Sequence, residues 1–270
     1  NINYIEERSN LKEKYLTPLM VASKNGHTNI VKELLKEATI DVNYINNYGF
    51  TALKEAINQG HTDIVKFLLQ HPKININQGY NDENTVTCLI WASLEGFTDI
   101  VKLLLQHTNI RINFVESEFG KTALIYATKY GRIEILKLLL KHPNIDVNII
   151  DKDGNSAIIY AINKFYTESV NLLLQHQDID TNKTLMTCIN NGNSDTIKFL
   201  LQEFQAYFDI NYLHKNGFTV LTRSICKGYT KCVKLLLKHP KINVNHANKY
   251  GMTALIWAVE KNNIDYVVLL

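Results

Sequence analysis

Apolar positions along residues 121–148, KTALIYATKYGRIEILKLLLKHPNIDVN, follow two rhythms. The first is sparse: Leu124 and Ala127 recur at i and i+3 on one face of a short helix opened by Thr122. Gly131 ends that helix, because glycine alone takes the left-handed helix-end conformation without a steric penalty. The second is dense: Ile133, Ile135, Leu136, Leu138, Leu139 and Leu140 make a second helix far more apolar than a surface helix needs. Such a helix is buried on several sides. Two helices this short cannot do that alone, so the pattern predicts copies of the segment packed on either side, the condition for a solenoid.

The copies are present. With Thr122 as origin, equivalent starts fall at Thr17, Thr51, Thr87, Ser156, Lys183, Thr219 and Thr253, giving eight units. Their separations are 34 (51−17), 36 (87−51), 35 (122−87), 34 (156−122), 27 (183−156), 36 (219−183) and 34 (253−219). Two places after each start stands Leu19, Leu53, Leu89, Leu124, Ile158, Leu185, Leu221 or Leu255. Five places after stands a small residue that lets neighbouring helices approach: Ala22, Ala56, Ala92, Ala127, Ala161, Cys188, Ser224 or Ala258. The ninth place is glycine except at Phe165 and Asn262, so those two turns are expected to be built differently. Units close on Asn43, Asn77, Asn113, Asn148, Asn182, Asn211 and Asn245.

This pattern resembles the ankyrin repeat, with its Gly-x-Thr-Pro-Leu-His start, Gly-His turn, Ile-Val-x-x-Leu-Leu second helix and Asp-Val-Asn close. The resemblance implies an all-α solenoid of stacked helix-turn-helix units with finger-like hairpin loops, one array over residues 1–270. Only Thr17-Pro18-Leu19 keeps the proline, and no unit keeps the histidine; Met20, Lys54, Ile90, Ile125, Ile159, Met186, Thr222 and Ile256 stand in its place. Apolar packing is expected to replace the hydrogen bonds that histidine would make. Residues 1–5 echo the close of a preceding unit, residues 6–16 read as an extended charged finger, and the last unit is cut inside its second helix, so both ends fall mid-repeat. After Asn182 the next unit begins at once, which predicts a missing finger and a notch in the finger row between Asp153 and Asn216.

Composition excludes more than it proposes. With 46% hydrophobic and 20% charged residues the chain suits a compact helical protein. No apolar run approaches the ~18 residues of a membrane span, and a net charge of +3 does not argue for nucleic acid. Lys32, Lys66, Lys102, Lys137, Lys198 and Lys234 recur at offset fifteen and read as a solvated face. Cys88, Cys188, Cys226 and Cys232 lack paired spacing, so buried or semi-buried free thiols in a reducing, cytoplasmic setting are expected. Abundant asparagine, isoleucine, lysine and tyrosine point to an AT-rich genome of protist or intracellular-bacterium style, in which the chain could be an effector working in host cytosol.

Candidate chemistry is sparse. No phosphate-binding glycine loop, H-E-x-x-H or G-x-S-x-G occurs. Asp151-Lys152-Asp153-Gly154-Asn155 has its glycine too early for a calcium loop and reads as a finger turn. His71, His107, His142, His176 and His239 end successive second helices. Stacked helices stand ~8–10 Å apart, too far to share one zinc ion, so these histidines are expected to cap helix C-termini. No catalytic residue, metal, cofactor or small-molecule substrate is proposed.

The resemblance implies instead a protein partner docked on the concave face, at finger tips and the exposed side of the first helices. Here those positions are Tyr48, Phe50, Asn58, Gln59, Leu94, Glu95, Phe119, Lys121, Lys129, Tyr130, Asn155, Lys164, Asn216, Phe218, Lys227, Tyr250, Met252 and Lys261. Exposed aromatics among them are natural interface anchors. Trp91, Tyr126, Tyr160 and Trp257 share offset four and read as a core stripe between repeats. The rival expectation is a recognition or regulatory domain of a larger enzyme, effector or channel.

Overall fold

A computed structural model describes residues 16–78 and 86–270. The expectations placed on residues 1–15 lie outside the described residues. Sixteen α-helices occur among the described residues: α1 (Pro18–Lys24), α2 (Thr28–Leu34), α3 (Ala52–Asn58), α4 (Thr62–Leu69), α5 (Cys88–Glu95), α6 (Thr98–Leu105), α7 (Ala123–Lys129), α8 (Ile133–Leu140), α9 (Ala157–Asn163), α10 (Thr167–Leu174), α11 (Thr181–Asn191), α12 (Ser194–Glu203), α13 (Val220–Lys227), α14 (Thr230–Leu237), α15 (Ala254–Glu260) and α16 (Ile264–Leu269). Contacts divide the chain into two compact units, Asn1–Ala157 and Ile158–Leu270. In the first, odd-numbered helices α1, α3, α5 and α7 pack in a row and α2, α4, α6 and α8 in another. In the second, α11, α13 and α15 form one row, and α12 packs on α14.

The start residues cap the odd-numbered helices. Thr17, Thr51, Thr87, Thr122, Thr219 and Thr253 each accept, on Oγ1, the backbone N–H three residues on. Each such cap contributes about 1 kcal/mol. The sixth repeat differs: Asp180 caps α11, accepting Lys183 N–H at 2.8 Å. The helix therefore begins before the expected start at Lys183, and Asn182 lies in its first turn instead of closing the fifth repeat. With no finger to build, the chain passes directly from loop to helix.

The turns at Phe165 and Asn262 are not built differently. Both residues are left-handed, at φ 56° and 49°, as Gly131 is at 66°. Tyr166 N–H reaches Ala161 O at 2.9 Å as Arg132 N–H reaches Ala127 O at 2.8 Å. The hydrogen-bonded geometry is kept and the side chain takes the strain, about 1–2 kcal/mol for a residue with a Cβ.

Glycine at this turn also leaves room for the next repeat. The residue after the following turn glycine reaches back over it: His61 Nε2 is 3.1 Å from Lys24 O, Arg132 donates to Leu94 O at 3.3 and 3.4 Å, and Tyr229 Oη donates to Asn190 O at 3.2 Å. A Cβ at Gly192 would stand 2.7 Å from Tyr229 Cζ.

On the outer loops the closing asparagines join neighbours with both ends of the amide. Asn43 accepts Asn75 N–H at 2.8 Å and donates to Lys73 O at 2.6 Å. Asn77 does the same with Arg111 and Asn109, Asn113 with Asp146 and Asn144, and Asn211 with Asn243 and Lys241. The loop-end histidines do not cap carbonyls as expected. His71, His142, His176 and His239 accept on Nδ1 the N–H two residues on, at 3.2–3.3 Å. The proline or loop residue that follows turns the chain away from the helix axis, so the ring meets the next N–H instead.

The place of the missing histidine is apolar and buried at Met20, Ile90, Ile125, Ile159 and Met186. It is polar in two repeats. Lys54 is 4% exposed, with burial lowering its ammonium pKa and its Nζ 3.5 Å from Val86 O. Thr222 forms a capping box with Thr219, so a hydroxyl pair supplies the bonds there. The offset-fifteen lysines point outward; Lys102 pairs with Asp99 at 2.9 Å and Lys137 with Glu134 at 3.0 Å.

Candidate functional site

The described fingers are tied by side chains at or near their bases. Asn46 Oδ1 accepts the N–H groups of Tyr48 and Phe50, Asp151 Oδ1 those of Asp153 and Asn155, and Asn248 Oδ1 those of Tyr250 and Met252. His214 accepts Asn216 N–H with its ring nitrogen. The finger from Glu116 to Thr122 is longer by one residue, six places (122−116) against five (51−46), and its base is the longer glutamate. The buried Glu116 carboxylate accepts the N–H groups of Glu118, Phe119 and Lys121 at 2.7–3.0 Å. These bonds hold the backbone of each described fingertip, and Asp151 is thereby a turn residue.

In the first unit Tyr48, Phe119 and Tyr130 are 40–48% exposed. Phe50 is half-buried with Lys54 Nζ 5.2 Å from its ring. Phe119 lies under Lys121 Nζ at 4.7 Å, and Tyr130 near Lys129 Nζ at 5.7 Å while stacking on Tyr126 at 6.4 Å. Gln59 and Glu95 are exposed; Asn58, Leu94, Lys129 and Asn155 are half-buried. Lys121 departs from the expected exposure. It is 3% exposed, with Nζ 3.3 Å from Asp151 Oδ2, because the extra finger residue before it folds its side chain onto the base of the next finger.

In the second unit Lys164, Asn216, Lys227, Tyr250 and Lys261 are exposed, and Phe218 and Met252 are half-buried. Phe218 packs on Trp257 with centroids 5.3 Å apart, and Arg223 Cζ is 5.3 Å from the Phe218 ring. Arg223 Nε donates to Asn190 Oδ1 at 2.7 Å.

The offset-four stripe is not uniformly core. Tyr126 is buried, and its hydroxyl, bonded to the Glu116 carboxylate, is pushed up to about 12, by burial first and the neighbouring carboxylate next. Trp91, Tyr160 and Trp257 are only half-buried, since the stripe lines the margin between the core and the finger face. Arg223 occupies the same offset in the seventh repeat. The sequence did not single it out, because this offset varies from repeat to repeat, with Val21, Glu55 and Thr187 beside the aromatic residues.

The thiols are free. Cys88, Cys188 and Cys232 are buried and Cys226 is half-buried. Burial pushes Cys88 up to about 11 and Cys188 up to about 12, so neither is a poised nucleophile. Among the described residues no helix is long and apolar enough to cross a membrane.

The family description "Ankyrin repeats (3 copies)" matches residues 3–80, 75–151, 140–211 and 185–270. The chain belongs to the ankyrin-repeat family. "Putative ankyrin repeat protein YahD" of Escherichia coli (strain K12) is 35% identical over 82 residues, covering 30% of this ankyrin-repeat chain. The match spans 39% of that relative's own length. Ankyrin repeats generally mediate protein–protein interaction, and proteins built from them are typically non-catalytic scaffolds.

Proposed function

We propose that this ankyrin-repeat chain binds a protein partner through its finger tips and the exposed ends of its odd-numbered helices, with no catalytic step of its own. The observation that carries the reading is the set of aromatic rings that each unit presents at those positions, on fingers whose backbone is tied by a side chain or beside a neighbouring cation. A finger whose backbone is already ordered loses less entropy on binding, so more of its contact area goes into affinity. The buried free thiols support a reducing compartment such as the cytoplasm.

The test is a pull-down comparing the parent with a Phe50→Ala, Phe119→Ala, Phe218→Ala variant whose circular dichroism matches it. Loss of a specifically retained protein from the variant is expected. Equal retention by both would move the surface to the outer helices or loops.

A further inference from the structure

The second unit's finger face has a composition of its own. Phe218 and Trp257 form one aromatic pair, and Arg223 lies against it. Arg223 is oriented by Asn190 through a 2.7 Å hydrogen bond. Burial raises the pKa of the half-buried Cys226 thiol, and the positive charges of Lys261 and Arg223 both oppose that rise, so the two fields overlap at this side chain. Lys227 follows Cys226 and is exposed, and Lys249 lies 4.9 Å from the Tyr250 ring on the next finger. The two fingers over residues 213–218 and 247–252 contain no aspartate or glutamate; Glu260 is the acid at the corresponding helix-end position.

Resting on the functional reading above, we propose that this face recognises an acidic peptide segment of the partner. A carboxylate would bridge Arg223 and Lys261, and an adjoining apolar side chain would lie on the Phe218–Trp257 pair. The guanidinium suits this role because its fork offers two parallel donors to one carboxylate, whereas the lysines add field without fixing geometry. Charge complementarity of this kind sets partner choice and association rate. The aromatic pair is closed on itself, ring against ring, which suits a side chain laid over its edge better than a base stacked between open faces.

The test uses fluorescein-labelled peptides of equal length and equal apolar content that carry glutamate, glutamine or lysine at the same positions, with binding followed by anisotropy. The glutamate peptide is expected to bind at least about tenfold tighter than the glutamine peptide. That preference should vanish near 1 M salt, where the screening length is about 3 Å. Arg223→Gln with Lys261→Gln should abolish the preference, and Phe218→Ala should weaken all three peptides.

Binding that is equal for glutamate and glutamine peptides but lost with Phe218→Ala would overturn the acidic preference while leaving the finger-face reading intact. An acidic preference unaltered by Arg223→Gln, Lys261→Gln and Phe218→Ala would place the site elsewhere and overturn the proposal. So would tighter binding of a single-stranded RNA oligomer in competition. Failure of every peptide to bind the folded parent would also overturn it, with the pull-down above still deciding whether the finger face binds protein at all.

Discussion

Two turn glycines of the second unit allow backbone strain to be separated from crowding. Gly192 and Gly228 have nearly the same conformation, φ 69° and 73°. Alanine at either costs about 1–2 kcal/mol for the left-handed backbone. At Gly228 nothing lies within 4 Å of the added Cβ, so this is the whole expected effect. At Gly192 the Cβ would stand 2.7 and 2.8 Å from Tyr229 Cζ and Cε1. The ring must swing away, which breaks the 3.2 Å bond from its hydroxyl to Asn190 O. That bond is worth about 1 kcal/mol net, and the displaced ring loses packing of similar size. Gly192→Ala is therefore expected to be more destabilising than Gly228→Ala by about 1–2 kcal/mol. Trp257 lies in the same unit, so its fluorescence during urea unfolding, in a Trp91→Phe background, reports the difference as a shifted midpoint. Equal midpoints, or a larger loss at Gly228, would refute the crowding argument. A Gly192→Ala, Tyr229→Ala double variant that keeps the whole excess loss would refute it as well.

Three further outcomes follow from the same geometry. Asn77→Ala removes a two-way amide link and should cost about 1–2 kcal/mol, whereas Asn245→Ala, whose side chain makes no hydrogen bond among the described residues, should be near neutral; paired urea titrations check this. Lys121→Met removes the ammonium that stands 3.3 Å from the buried Asp151 carboxylate and should destabilise by about 3 kcal/mol, read by thermal unfolding; a change below about 0.5 kcal/mol would show the pair to be solvated. A thiol reagent should label Cys226 first and the other three only on unfolding, with equally fast labelling at Cys88 contradicting its burial.

Much of this fold was legible because periodic positions do periodic work. The start threonines, the small residue five places on and the turn glycine each serve one local requirement, and each recurs in place. What escaped the sequence depends on contacts between neighbours. Lys121 looks like a surface lysine until the finger it closes proves one residue longer and hands its ammonium to Asp151. Phe165 looks like a broken turn, but the surrounding hydrogen bonds impose the left-handed backbone on whatever residue stands there. The loop-end histidines have the right place for capping carbonyls, yet the following residues offer them N–H groups first. On the finger face the exposed rings of Tyr48, Phe119 and Tyr130 were foreseen, while Arg223 was masked by an offset otherwise read as core.

The asparagine links carry a genetic corollary. Each spans close to one repeat along the chain, 32 residues from Asn43 to Asn75, 34 from Asn77 to Arg111, 33 from Asn113 to Asp146 and 32 from Asn211 to Asn243. The donor and acceptor atoms are the same at every link. A recombination event that removes or duplicates one whole period therefore reconnects identical atoms, while one that shifts the reading by a fraction of a period leaves an amide facing the wrong stretch of loop. The gene can lengthen or shorten in repeat-sized steps with the links kept, and a shorter step costs a link, as at the 27-residue step (183−156), where Asn182 lies inside α11.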